Sequence, residues 1–149
     1  MRRTIKDMRF STRSEYGIRA IIELARHWGG PPVSIHKVAD TTGIPYQYLE
    51  QLVQKLRRSG IVQATRGVQG GYTLKKDPHE ISVGDILRNV EGKIEPYRCP
   101  AVGEYQCARQ NTCLARHVWS RVAASVSNVV DNMNIASLLN DYGAPARHP

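Results

Sequence analysis

Between Ser34 and Lys76 the sequence changes its hydrophobic period twice, and no other feature restricts the fold as much. The stretch "SIHKVADTTG" carries Ile35, Val38 and Ala39 at helical spacing behind a Ser34 cap and ends at Gly43, which suits a sharp turn. "PYQYLEQLVQKLRRSG" follows at once, with Leu49, Leu52, Val53 and Leu56 recurring at i, i+3, i+4 and i+7. Pro45 suits its first turn and Gly60 its C-terminal cap. "IVQAT" and "GYTLKK" then read as two short strands rich in β-branched and aromatic residues, joined across the glycine-rich "RGVQGG". Two helices at a tight turn followed by a hairpin predict a winged helix-turn-helix.

The flanking segments supply the rest of a mainly α chain with a small β wing. From Ser11 or Thr12, "SEYGIRAIIELARHW" places Gly17, Ala20, Ile21, Leu24, Ala25 and Trp28 on one stripe, and "GGPP" ends that helix. "ISVGDILRNVEG" predicts a short helix with a Ser82–Asp85 capping box, Val83, Ile86, Leu87 and Val90 inward, and Gly92 at its close. A longer helix is expected from about Leu114 to Asp131, with Val118, Val122, Val126, Val129 and Met133 on one line and Trp119, Ala123 and Val130 beside it. So much apolar surface on a late helix predicts a dimerisation helix packing on its own copy. "NIASLLNDYG" adds a short terminal helix. The expected organisation is therefore a DNA-binding domain over 8–76, a linking helix and loop over 77–98, a cysteine loop over 99–113, and dimerisation and terminal helices over 114–140.

At 149 residues the chain has room for one compact domain, or for a small domain with an arm. Its net charge of +8 is uneven: residues 1–76 hold 14 Lys and Arg against 5 Asp and Glu, and residues 77–149 hold 7 against 8. A basic first half predicts a polyanionic partner, and double-stranded DNA fits a helix-turn-helix. No run of 18 apolar residues and no apolar leader core is present, so a cytoplasmic protein without a membrane partner is expected. Neither a glycine-rich nucleotide loop nor a Ser-His-Asp arrangement nor a pair of catalytic carboxylates appears in a recognisable context, which argues against an enzyme.

In a helix-turn-helix the second helix enters the major groove with its N-terminal residues foremost. That end carries Gln47, Tyr48, Glu50 and Gln51. Glutamines pair with adenine, a glutamate accepts from cytosine N4, and a tyrosine reaches phosphate or a thymine methyl. Arg57 and Arg58 lie further along and are expected on phosphates, and Arg66 at the wing tip is expected in the minor groove. A two-fold dimer would read a pseudo-palindromic operator with half-sites spaced by whole helical turns.

All three cysteines, Cys99, Cys107 and Cys113, fall in "RCPAVGEYQCARQNTCLARHVW", with His117 four residues after the last. An odd number of thiols in a reducing compartment argues against a disulfide framework. Structural zinc prefers ligand pairs spaced as C-x2-C or H-x3-H, and neither gap between these cysteines is that short. An iron-sulfur cluster is larger and accepts wider spacings and a non-cysteine ligand, so the spacing favours it. A thiol switch, with two cysteines pairing on oxidation, and three inert loop cysteines are the other readings.

Together "MRFSTRSEYGIRAIIELA", "GIPYQYLEQLVQKLRRSGIVQATRGVQGGYTL", "ISVGDIL", the three cysteines and "CLARHVW" resemble the Rrf2 family of winged-helix regulators, and within it the iron-sulfur IscR-like and NsrR-like members. The resemblance runs from Met8, which matches the usual family start, to about Leu139. It implies a homodimeric regulator that senses redox state, nitric oxide or cluster status. It also implies a cluster on Cys99, Cys107 and Cys113, with a two-iron (2Fe-2S) form expected and a four-iron (4Fe-4S) form as the alternative. IscR-like members carry a histidine ligand three residues after the last cysteine, where this chain has Arg116; its histidine, His117, comes one residue later. NsrR-like members take a carboxylate from the first helix, and the matching position is Glu15. Glu15 and His117 are therefore the two candidates for the fourth ligand. Zinc stabilisation or a thiol switch without a cluster is the alternative function.

Overall fold

The computed structural model describes residues 10–94, 109 and 111–142. Three helices come first, α1 (Thr12–Arg26), α2 (Ile35–Thr42) and α3 (Tyr46–Arg58), followed by a hairpin of β1 (Val62–Thr65) and β2 (Gly71–Leu74). A 3-10 turn at Pro78–Glu80 leads into α4 (Val83–Glu91), and α5 (Leu114–Asp131) and α6 (Ile135–Tyr142) complete the described chain. The mainly helical winged fold expected from the periodicity is the one observed.

Local chemistry sets most of the boundaries. Ser11, rather than Thr12, caps α1, its hydroxyl accepting from the Arg13 amide at 3.1 Å. Ser34 caps α2 in the same way, accepting from the Lys37 amide at 3.2 Å. α3 stops at Gly60, whose φ of +77° is open only to a residue without a Cβ at little cost. The amides of Gly60 and Ile61 then close back on the carbonyls of Arg57 and Leu56, at 3.0 and 3.1 Å, in a Schellman arrangement. On α4 both halves of the Ser82–Asp85 capping box are present. Trp28 departs from the α1 stripe: the helix ends at Arg26, before it, and the indole is 46 % exposed in the turn that follows.

The hydrophobic core runs through the winged domain and into its C-terminal neighbours. Ile21 and Leu24 of α1, Leu49 and Leu56 of α3, Leu74 of β2, Ile86 of α4 and Ile135 of α6 are all fully buried. α1 is the central element, packing against α2, α3, α4, α6 and β2. Gly17 lets α4 close on it, since a Cβ there would sit 3.1 Å from Val90. The hairpin pairs Val62 with Leu74 and Thr65 with Gly71, and Val33 adds a further antiparallel bridge to the far side of Tyr72. The segment before α4 is joined to the α5–α6 turn by reciprocal bonds, Val83 amide to Met133 carbonyl and Ile135 amide to Ile81 carbonyl, at 2.8 and 3.0 Å.

α5 packs chiefly on α4 and buries only Val130. Leu114, Val118, Val129 and Met133 are exposed, at 80, 57, 58 and 43 %. Val122, Ala123 and Val126 are half-buried. Among the described residues no helix is long and apolar enough to cross a membrane.

Candidate nucleic-acid interface and cysteine segment

The turn between α2 and α3 is built to present α3. Gly43 turns the chain at φ +70°, and the Thr42 hydroxyl donates to the Val38 carbonyl at 2.6 Å while accepting from the Ile44 amide at 3.4 Å. Ile44 is buried behind the turn, and Leu49, Leu52, Val53 and Leu56 anchor the inner face of α3. The outer face is therefore fixed: Gln47, Glu50, Gln51, Gln54, Lys55, Arg57 and Arg58 are all exposed. At about 100° per residue, Gln47, Gln51, Gln54 and Arg58 fall on one line along the helix.

Tyr48 sits differently from its neighbours. Its half-buried ring meets Tyr16 of α1 edge to face, with centroids 5.3 Å apart and planes at 86°, so it forms the flank of α3 against α1. Arg13, Gln51 and Lys55 line a small hollow beside it. On the opposite flank, Arg57 faces the wing rather than the outward line. A groove of about 820 Å³ separates α2 and α3 from the hairpin, and His36, Tyr46, Arg57, Arg66, Tyr72 and Lys75 supply its ionisable side chains. Arg66 is exposed where the hairpin turn begins, and Val68 stands fully exposed within that turn. Gly70 and Gly71 keep the turn tight, because a Cβ on either would overlap backbone carbonyl oxygen, that of Thr65 or of Val33.

His36, Tyr46 and Lys75 line this groove beside the arginines expected at DNA. Tyr46 carries a sequence signal, because it is the first residue of α3 and a helix-turn-helix directs the N-terminal residues of its second helix at DNA, whereas His36 and Lys75 carry none.

Of the proposed metal ligands, Cys99 and Cys107 lie outside the described residues. Cys113 is half-buried at the N-terminal cap of α5, and His117 follows one helical turn later, exposed and on the same face. Glu15 is exposed in the first turn of α1 and is paired with Arg19. The same Arg19 donates through Nη1 to the Thr42 carbonyl at 3.0 Å and lies 5.7 Å from the centre of the Tyr16 ring. Among the described residues no three His, Cys, Asp or Glu side chains come together as a metal site. In chemical type the donor set, three thiolates with a carboxylate or an imidazole, suits iron.

A three-helix core, an outward polar face on α3 and a basic hairpin define a winged-helix DNA-binding transcription regulator. The chain belongs to the Rrf2 family: residues 10–141 match its family model, described as an iron-dependent transcriptional regulator. It is 34 % identical over 134 residues to Protein rrf2 of Nitratidesulfovibrio vulgaris, covering 90 % of this chain and 89 % of that one. Among solved structures it is similar to T. potens IscR, at 34 % identity and a TM-score of 0.75, covering 94 % of this chain and 93 % of that one. It is similar also to CymR, the global cysteine regulator of B. subtilis, at 34 % identity and a TM-score of 0.77, covering 89 % of this chain and 97 % of that one.

Proposed function

We propose that this DNA-binding regulator is a homodimer whose operator affinity depends on an iron-sulfur cluster held by Cys99, Cys107, Cys113 and either Glu15 or His117. In this reading residues 8–76 read DNA, 99–113 hold the cluster, and α5 joins two copies through its exposed apolar line. Such a cluster, when bound, supplies a centre whose charge and ligand affinity change with oxidation, nitric oxide or loss of iron.

The observation that carries the reading is the position of Arg19 between Glu15 and the helix-turn-helix. A carboxylate turned toward iron would leave Arg19, and Arg19 holds the end of α2 and packs on the ring that supports Tyr48 of α3. A change at the cysteine segment thereby acquires a physical route to the recognition helix. If His117 is the ligand instead, the change enters through the start of α5 and alters the separation of the two recognition helices in the dimer. Either route needs to shift operator affinity by about 1–3 kcal/mol, the usual size of such coupling. At the DNA, Gln47, Glu50 and Gln51 read base edges, Arg58 holds phosphate, and Arg66 enters the minor groove. Tyr48 and Arg57 act from the two flanks of α3.

The test is anaerobic purification with iron and sulfide counts, an absorption spectrum, and gel-shift titrations of cluster-loaded and cluster-free protein. Coloured protein with unequal operator affinities in the two states supports the reading. Colourless protein with stoichiometric zinc, or equal affinities at several operators, overturns it. A second reading, a thiol switch without iron, rests on the clustering of Cys99, Cys107 and Cys113 within 15 residues. Colourless protein without zinc, whose affinity responds to thiol oxidants, would favour it.

A further inference from the structure

The rings of His36 and Tyr46 stack with centroids 4.4 Å apart and planes 17° from parallel. They join the first turn of α2 to the first turn of α3 at the mouth of the groove beneath the wing. The ionisable side chains lining that groove are His36, Tyr46, Arg57, Arg66, Tyr72 and Lys75, with no carboxylate among them. Three fixed cations with an imidazole and two phenols form a seat for a polyanion between α3 and the hairpin. A DNA strand whose two grooves are occupied by those elements has its sugar-phosphate backbone between them.

We infer that the His36–Tyr46 pair is a DNA-backbone contact of this chain, in which the His36 ring donates to a phosphate while Tyr46 holds the imidazole in place. The inference rests on the DNA-binding function and extends it to two residues.

A phosphate contact carries no sequence information, so a labelled random-sequence duplex is a sufficient probe. Full-length protein is titrated with it by gel shift at one fixed salt concentration. His36→Ala and Tyr46→Ala, both at exposed positions, each weaken binding about fivefold, the equivalent of one hydrogen bond lost. His36→Gln, which keeps a side-chain donor, loses less than His36→Ala. A folded His36→Ala variant that binds the duplex as tightly as the unaltered protein overturns the inference. An unaltered protein that fails to bind the duplex overturns the DNA-binding reading itself, a result distinct from the first.

Discussion

Arg19 of α1 donates to the backbone carbonyl of Thr42, the last residue of α2, at 3.0 Å, across 23 residues of sequence. This bond fixes the start of the helix-turn-helix turn against the first helix. Arg19→Ala is expected to weaken operator binding about tenfold, since a hydrogen bond from a charged donor contributes about 1.5–3 kcal/mol and some of that is screened at this exposed site. It should also narrow the affinity difference between cluster-loaded and cluster-free protein. Gel-shift titration of both forms measures the two effects together, and an unchanged difference would remove Arg19 from the coupling route.

The fourth ligand is separable by spectroscopy. Glu15→Ala and His117→Ala should both fold, because both side chains are exposed. Only the variant that loses a ligand should alter the visible absorption and hasten loss of iron in air. Identical spectra for both variants and the unaltered protein would exclude both residues.

At the wing, Gly71→Ala has no room to relax, since the new Cβ would overlap the Val33 carbonyl, which is fixed in its own bridge to Tyr72. Overpacking against backbone costs about 1–3 kcal/mol, and the hairpin must shift to accommodate it. The expected result is a lower urea midpoint together with weaker DNA binding. A variant with unaltered DNA affinity would show that the wing position is not needed.

Acid should act on the junction of α4 and α5. Arg88 Nη2 lies 2.7 Å from Asp131 Oδ2, and its hydrogen bond holds the Asp131 carboxyl below the usual aspartate range. A carboxyl lowered by folding stabilises above its unfolded pKa, and that contribution is lost as pH falls through the lowered folded value. The melting-temperature gap between the unaltered protein and Asp131→Asn should therefore hold at neutral pH and close below about pH 4. A gap constant from neutral pH into acid would show that the pair does not contribute through charge.

The helices were legible because their signals are local. The Ser34, Ser82 and Gly60 caps, the Leu49–Leu56 spacing and the span of α5 all depend on residues within a few positions of one another, and each appears where the pattern placed it. Trp28 shows the limit of periodicity, which continues past the point where a helix stops: "GGPP" ended α1 early enough to leave the indole at the surface.

By itself, then, the sequence determined that this chain forms a winged helix-turn-helix with a polar outer face on α3 and three thiols ahead of a long apolar helix. Only the tertiary structure decided which polar residues share a surface. Tyr48 went to the α1 flank, Arg57 to the wing groove, and His36, Tyr46, Arg66 and Lys75 converged from three separate elements. Arg19 came to bridge Glu15 and Thr42 in the same way. The physical reason is that caps and periodicity act along the chain within a turn or two. Convergence across some 10 to 40 residues is set by how the buried faces of α1, α3 and β2 pack, and the exposed residues are carried to their places by that packing.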